Sequence, residues 1–279
     1  MEIKKEDIVR LRKASGQPIM DCKRALQETE SFDEAFEYLR KTATEKIDSR
    51  RKDRVASEGR VIVKCSHEQH VAGSTVAILS LLCETDFTAK SEAFVNALDK
   101  IADIVVSDTA VQSPHEIREE LEAVIDEIKA QTGEKIEIGQ SYIQVVKEGS
   151  PVYSYVHFDN KKAALVTLAA NSTPYALQQL GLNLAMHVVA TKPRCCLEED
   201  IDWSEADLEI PAGLLSKPPE IIEKISRGKK DKYMKETCML HQPYCLDDSM
   251  DVKQAILKVR KNEMMEITLK QFKHIEIGA

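Results

Sequence analysis

The chain has 279 residues, of which 43% are hydrophobic and 31% charged, a composition typical of a folded protein with about two domains. The net charge of −8 argues against broad nucleic-acid binding, because such binding requires cationic side chains that neutralise phosphates. The sequence has no apolar run of the ~20 residues that cross a bilayer and no Cys-x-x-Cys pair among its seven cysteines, so we expect a cytoplasmic protein with free thiols.

The first 47 residues predict three short helices. Apolar residues repeat at helical spacing in each of them, Gly16 ends the first helix, and Pro18 opens the second. The third begins with Ser31-Phe-Asp-Glu, which has the spacing of a capping box. Residues 40–54 are highly charged and indicate an exposed helix tail that runs into a linker; this basic run lacks the interleaved aromatic residues that stack on RNA bases.

Segments rich in valine and isoleucine come next and predict strands followed by helices. The predicted elements are two strands, a connecting loop and two helices, at residues 59–65, 74–83, 84–90, 91–105 and 114–130. Ser91 has the character of an N-cap for the first of these helices, and Gly133 follows the second as a natural stop.

A similar order recurs in the second half of the chain. The pattern predicts strands at residues 135–147, 152–158 and 163–170 and a helix at 174–190. Two related α+β modules would explain this recurrence. After Pro193 the periodicity weakens, and we expect three helices and a final strand, at residues 219–226, 230–240, 252–261 and 266–277.

Motifs for covalent or metal chemistry are weak in this sequence. Cys238, His241 and Cys245 lie close together, but a structural zinc site usually has a tight Cys-x₂₋₄-Cys pair that is missing here. Buried, apolar cysteines are therefore the simpler interpretation. A cysteine-dependent enzyme remains an alternative, although no local nucleophile signature surrounds any of the seven cysteines.

Two places in the sequence are candidates for contact with a partner. On the helix at 174–190, Gln179, Asn183 and His187 form one narrow polar stripe, which predicts either a solvent-facing or hydrogen-bonded core histidine, or a surface that faces a partner. At the corner after the strand at 74–83, an Asp86-Phe87 pair is compatible either with a turn or with an exposed aromatic anchor for an interface.

Four segments resemble the elongation factor Ts family, in the order in which that family has them. They are LRKASGQPIMDCKRAL, CETDFTAKSEAF, LAMHVVATKP and KYMKETCMLHQPY, which begin at residues 11, 83, 184 and 232. The resemblance covers nearly the whole chain. It implies an α+β fold with an N-terminal three-helix module like the ubiquitin-associated (UBA-like) domain, followed by a two-subdomain core of antiparallel sheets with packed helices.

The resemblance also implies a division of the chain into domains. A UBA-like module with its linker would occupy residues 1–54, and the core N-subdomain 55–140. The core C-subdomain would take 141–197 and 233–279, with a shortened helical insertion at 198–232. Because this insertion is short and broken by prolines where the family has a dimerising coiled coil, we expect a monomer or a weak dimer.

The function implied by the resemblance is guanine-nucleotide exchange on elongation factor Tu: the factor binds the GDP form, dislodges Mg²⁺ and lets GTP replace GDP. Such a factor makes and breaks no covalent bond, so it is not an enzyme in that sense and needs no cofactor, metal, nucleic acid or membrane. The alternative is an interaction scaffold that uses the UBA-like module without promoting exchange.

The family's functional residues carry over to seven positions. The residues implied to act near the Mg²⁺ of elongation factor Tu are Thr85, Asp86, Phe87 and Thr88, and the other implied contacts are Ile19, Met20 and His187. Thr88 stands where valine is usual in the family, and we expect this difference to matter little.

Overall fold

The computed structural model of the chain describes residues 4–50, 54–67, 72–107, 118–208 and 218–278. Contacts divide the chain into two compact units. The first consists of Met1–Ser66, Ala77–Ile143 and Glu276–Ala279, and the second of His67–Val76 and Gln144–Ile275. Among the helices in the described ranges, none combines the length and hydropathy needed to cross a membrane.

The N-terminal part of the first unit is a three-helix bundle, as the sequence predicted. The helices are α1 (Lys5–Ser15), α2 (Ile19–Glu28) and α3 (Phe32–Arg50). Gly16 ends α1 with a φ of 67°, a left-handed conformation that glycine adopts without steric cost. Ser31 Oγ accepts a hydrogen bond from the backbone N–H of Glu34, which confirms the predicted cap of α3. The bundle has its own small core, formed by Leu11, Cys22, Ala25, Ala35 and Leu39.

The rest of the first unit is a three-stranded sheet packed with helices. Its elements are β1 (Glu58–Cys65), β2 (Thr75–Cys83), α4 (Asp86–Lys90), α5 (Glu92–Ser107), α6 (Arg118–Thr132) and β3 (Glu137–Val145). The strand order is β1-β2-β3, so the almost fully buried β2 is central. Its side chains pack with Phe94 and Ile101 of α5 and with Ile128 of α6. This core supports the end of β2, where the chain turns into α4.

The second unit is built around a second three-stranded sheet. Its elements are β4 (Val152–Val156), β5 (Lys162–Ala170), α7 (Tyr175–Thr191), α8 (Pro219–Thr237), β6 (Pro243–Tyr244), β7 (Asp247–Asp251), α9 (Val252–Glu263) and β8 (Ile267–Glu276). The strand order is β4-β5-β8, with β4 and β5 antiparallel from Val152 opposite Thr167 to Val156 opposite Ala163. Helix α7 lies close to β4 at Gly181, whose missing side chain leaves room for the ring of Tyr153.

The α+β class is confirmed, but several predicted elements differ from the structure. The strand predicted at 135–147 as part of the second module is β3 and belongs to the first sheet. The loop predicted at 84–90 contains the helical turn α4. The two helices predicted between 219 and 240 are one helix, α8, because a single exposed glycine, Gly228, costs only about 1 kcal/mol in a helix. The start of the helix predicted at 114–130 lies partly outside the described residues.

A candidate partner-binding turn

The corner between β2 and α5 is a capped helical turn whose ends are fixed by hydroxyl groups. Thr85 is extended and its Oγ1 accepts the backbone N–H of Thr88 at 3.3 Å, so it is the N-cap of α4. Ser91 stands between α4 and α5, where its Oγ donates to the carbonyl of Thr88 at 2.8 Å and accepts the N–H of Phe94 at 3.3 Å. Both hydroxyls satisfy backbone groups that a five-residue helix leaves open.

Asp86 and Phe87 occupy the first turn of α4 and face outward. Phe87 is 83% exposed, while Phe94, seven residues later, is completely buried. Asp86 pairs with Lys90, one helical turn away, at 2.8 Å. An exposed ion pair of this kind stabilises by less than about 1 kcal/mol.

Glu134 organises this turn, and sequence reasoning did not single it out. Its Oε2 accepts the backbone N–H groups of Glu84 at 3.0 Å and Thr85 at 3.1 Å. Its Oε1 accepts the hydroxyls of Thr85 at 2.6 Å and Thr88 at 2.7 Å. Thr88 thus contributes one of the four hydrogen bonds to this carboxylate.

Glu84 makes the reciprocal contact. Its Oε1 accepts the backbone N–H of Lys135 at 2.8 Å, and its Oε2 accepts from Nη1 of Arg54 at 2.9 Å. The segments 84–88 and 134–135, about fifty residues apart in sequence, are therefore held together by two carboxylates that cross between them. We refer to this arrangement of Glu84 and Glu134 with their partners as the carboxylate clasp.

Ile19 and Met20 form a second exposed feature of the first unit, at the start of α2. Ile19 is 50% and Met20 72% exposed, whereas Cys22 and Ala25 of the same helix face the bundle core. An exposed methionine beside an isoleucine is an adaptable apolar surface of the kind found in protein interfaces. The structure thus presents both residues at the surface, as a contact role requires.

His187 is buried in the second unit, so the structure shows it as the hydrogen-bonded core histidine. Its Nδ1 accepts the backbone N–H of Cys245 at 3.2 Å, and its Nε2 lies 3.0 Å from Oε1 of Gln242. Because a backbone N–H can only donate, Nδ1 must be unprotonated and Nε2–H must be the donor to Gln242. Burial lowers the pKa of His187 below its usual value and keeps the ring neutral.

Gln242 completes the network around His187. Its Oε1 also accepts from the hydroxyl of Thr191 at 2.9 Å, and its amide nitrogen donates to the carbonyl of Glu236 at 3.1 Å. The network joins α7, the end of α8 and the β6–β7 hairpin. His187 lies in the third and Gln242 in the fourth of the segments that resemble the family, and the fold brings the two residues into contact.

The cysteine and histidine residues considered for metal or nucleophilic chemistry are not assembled into a site. The thiol of Cys238 donates a hydrogen bond to the carbonyl oxygen of Cys196, while Nε2 of His241 lies 2.7 Å from Oε1 of Glu198. Within the described ranges no group of three or more His, Cys, Asp and Glu side chains is placed to hold a metal ion. Burial raises the pKa of Cys195 to about 12, which disfavours the thiolate that nucleophilic catalysis needs.

Comparison with known proteins decides the family. The sequence profile of the family described as "Elongation factor TS" matches residues 84–279, a range that begins at the turn described above. The chain is 33% identical to the elongation factor Ts of Lawsonia intracellularis, with 100% of this chain and 99% of the relative covered. The chain belongs to the elongation factor Ts family.

Other members of the family match with similar coverage. The elongation factor Ts of Desulfovibrio desulfuricans is 32% identical, over 96% of this chain and 96% of the relative. That of Wolbachia pipientis wMel is 30% identical, over 100% of this chain and 99% of the relative. These alignments also span the three-helix bundle, which lies outside the profile match.

Proposed function

We propose that this chain promotes the release of GDP from elongation factor Tu, with the turn at residues 85–88 as the element that disturbs the partner's Mg²⁺ site. The observation that carries the proposal is Phe87, a large aromatic side chain that is 83% exposed on a turn whose backbone is held by a carboxylate clasp. A rigid turn with an exposed aromatic tip has the character of an interface anchor. Asp86, weakly paired with Lys90, supplies a carboxylate beside that tip.

The proposed activity requires no covalent chemistry. A GTPase that holds GDP with a dissociation constant of about 1 nM and rebinds it at ~10⁶ M⁻¹s⁻¹ releases it at about 10⁻³ per second. A partner that binds the nucleotide-free GTPase more tightly than the GDP form must weaken GDP binding by the same factor. Insertion of Asp86 and Phe87 near the Mg²⁺ site would provide that coupling, since Mg²⁺ bridges the phosphates in GTPases.

Ile19 and Met20 would form a second contact in this proposal. Their exposed apolar surface on α2 can bind the partner without acting on the nucleotide. His187 would contribute indirectly, because its ring is covered and its hydrogen bonds to Gln242 and Cys245 hold α7 to the β6–β7 hairpin. Binding and nucleotide release would thus depend on different residues.

The test is the rate at which labelled GDP leaves purified elongation factor Tu in an excess of unlabelled nucleotide. We expect the wild-type chain to accelerate release and Phe87→Ala to reduce that acceleration at least tenfold. Phe158→Ala is the matched control, because Phe158 is equally exposed (85%) but lies at the β4–β5 turn of the other unit. If the loop acts on Mg²⁺, chelation of Mg²⁺ should bring the rates with wild-type and Phe87→Ala closer together.

The outcomes of this test separate the proposals. Absence of acceleration by the wild-type chain would reject the exchange function, and binding to elongation factor Tu without acceleration would favour the scaffold alternative. If Phe87→Ala and Phe158→Ala reduced the acceleration of GDP release equally, the proposed role of the turn would be rejected. Reduced binding in Met20→Ala with a normal maximal release rate would support the second contact.

A further inference from the structure

We propose that Glu134 is a positioning residue for nucleotide exchange, which holds Phe87 in place through the backbone of the turn. This inference rests on the proposed function. Glu134 does not need to touch the partner: its four hydrogen-bond donors are the backbone N–H groups of Glu84 and Thr85 and the hydroxyls of Thr85 and Thr88. These donors lie on both sides of Asp86 and Phe87, the two residues that would act.

The carboxylate of Glu134 is used nearly to its capacity. An ionised carboxylate offers about four lone-pair sites, and each of its two oxygens accepts two hydrogen bonds here. Hydrogen bonds to a charged acceptor are about twice as strong as those between neutral groups. Truncation of this side chain would leave two backbone donors and two hydroxyls without their acceptor, all within one turn of chain.

The backbone that carries Glu134, at the end of α6, is itself fixed by hydrogen bonds and packing. Gly133 ends α6 with a φ of 67°, and its N–H donates to the carbonyl of Lys129 at 2.8 Å. The N–H of Glu134 donates to Oγ1 of Thr132 at 3.3 Å. Helix α6 packs into the core of the first unit through Leu121 and Ile128, both buried. The position of the carboxylate is therefore fixed by a packed helix and not by a free loop.

The other side of the turn is held by Cys83, the last residue of β2. Its thiol donates to the carbonyl of Thr85 at 3.2 Å. Burial and the negative charge of Glu134 raise the pKa of Cys83 to about 12, so the thiol keeps the proton that it donates. Thr85 is thus bound through its N–H, its hydroxyl and its carbonyl, directly before the residues that face outward.

Such a turn affects exchange by preorganisation. Phe87 is 83% exposed, so its own side chain is not packed into the fold, and the backbone must set its direction. Ordering the backbone of one residue costs about 1–2 kcal/mol, and a turn that is already ordered avoids that cost when it enters the Mg²⁺ site of a partner that is already bound through other contacts. Without Glu134, the aromatic tip would still be present but would enter the partner in the productive geometry less often.

The matched variants are Glu134→Ala, Glu134→Gln and Glu137→Ala. The amide oxygen of Glu134→Gln can accept the two backbone N–H groups, while its NH₂ group can donate to the threonine hydroxyl oxygens, so this variant should retain most of the positioning. Glu137 is a nearby carboxylate on β3 that pairs with Nζ of Lys135 at 2.9 Å and serves as the control. We expect Glu134→Ala to lower the maximal stimulated GDP release about tenfold, Glu134→Gln less than threefold and Glu137→Ala not measurably.

The dependence on factor concentration distinguishes positioning from a general loss of structure. If a fraction of Glu134→Ala were simply unfolded, more protein would be needed for half-maximal stimulation, but the maximal rate would be unchanged. Positioning predicts the opposite, a lower maximal rate with less than a twofold change in the half-maximal concentration. An unchanged maximal rate, or a rate in Glu134→Gln as low as in Glu134→Ala, would overturn the inference.

Combination with Phe87→Leu tests whether Glu134 acts through Phe87. This milder variant should retain measurable stimulation, so that a further loss can be detected. If the two residues act together, Glu134→Ala should reduce release less than about twofold in the Phe87→Leu background. A full tenfold loss in both backgrounds would show independent effects and reject the proposal.

Hydrogen exchange gives a reading that does not depend on elongation factor Tu. The amides of Glu84 and Thr85 should exchange at least tenfold faster in Glu134→Ala than in the wild type, with no change at Ile78 in the centre of β2. Unchanged protection of these two amides would reject the carboxylate clasp, whatever the GDP-release assay shows. Loss of their protection, together with a wild-type chain that does not stimulate GDP release, would reject the proposed function and leave the structural role of Glu134 intact.

Discussion

The buried histidine of the second unit predicts a specific loss of stability in acid. His187 accepts a hydrogen bond at Nδ1 from the N–H of Cys245, and burial lowers its pKa, so the folded state resists protonation of the ring. Above the pKa of about 6.5 that a histidine has in an unfolded chain, both states are neutral and His187 adds no pH dependence. As the pH falls below 6.5, the unfolded state takes up a proton that the folded state does not, and stability is lost until the pH reaches the folded pKa.

The magnitude follows from the proton count. One proton taken up only by the unfolded state gives a slope of at most about 1.4 kcal/mol per pH unit. Between pH 7.5 and 5.5 His187 should therefore lower the free energy of unfolding by up to about 1.4 kcal/mol. Carboxylates and other histidines also titrate in this range, so the contribution must be isolated by a variant.

The assay is urea unfolding of wild type, His187→Phe and Thr191→Val at the two pH values, followed by tryptophan fluorescence. Trp203 is the single tryptophan of the chain, and it lies in the same unit as His187. His187→Phe should be less stable by about 1–3 kcal/mol at pH 7.5, because the N–H of Cys245 loses its acceptor, but it should lose less stability on acidification than the wild type. Thr191→Val removes one hydrogen bond to Gln242 without removing a titrating group, so its pH dependence should match the wild type.

An equal loss of stability in wild type and His187→Phe between pH 7.5 and 5.5 would refute this reasoning. It would mean that His187 takes up its proton alike in the folded and unfolded states. A larger loss in the variant would also refute it, because the folded state would then bind the proton more tightly than the unfolded state does.

Three further predictions follow from packing and sequence. Phe94→Ala should lower the free energy of unfolding by about 3–5 kcal/mol and Phe87→Ala by less than about 0.5 kcal/mol, because only Phe94 is buried. Circular dichroism during urea unfolding measures both values, and a similar loss of stability in the two variants would contradict this prediction. Gly181→Ala should destabilise the second unit by about 1–3 kcal/mol in the Trp203 assay, because its Cβ would lie 2.1 Å from Cδ2 of Tyr153, and an unchanged midpoint would refute this. Light scattering should give a monomer mass that rises only weakly with concentration, whereas a dimer mass at every concentration would contradict the weak-dimer expectation.

Local signals in the sequence predicted most of the helix ends. Gly16 and Gly133 end α1 and α6 in left-handed conformations, and Ser91 caps α5, because these effects depend on residues within one turn of each other. The pairing of β3 could not be predicted in this way. Its place in the first sheet depends on contacts with β2, which lies about sixty residues earlier, and a pattern of alternating apolar residues does not identify the strand's neighbour.

The candidate site shows the same limit. The exposed tip, Asp86 and Phe87, was found from the order of elements and from the resemblance to the family. The residue that holds it was not, since Glu134 is one of 47 acidic residues and nothing in Gly-Glu-Lys at 133–135 marks it as the acceptor for a turn fifty residues earlier. For His187 the sequence left a hydrogen-bonded core position as one of several alternatives, because its polar stripe begins at the exposed Gln179 and becomes covered only where Gln242 and Cys245 approach.

The exposure of Phe87 and the hydrogen bonds of Glu134 have a common physical explanation. Full burial of a phenylalanine side chain stabilises a fold by about 1.5–3 kcal/mol, and the turn forgoes that gain by leaving Phe87 in water. The turn must then be stabilised by polar contacts, which the four hydrogen bonds to Glu134 supply. Substitution of Phe87 should therefore slow stimulated GDP release with little effect on folding, whereas substitution of Glu134 should affect both the local structure of the turn and GDP release, because both depend on the same four hydrogen bonds.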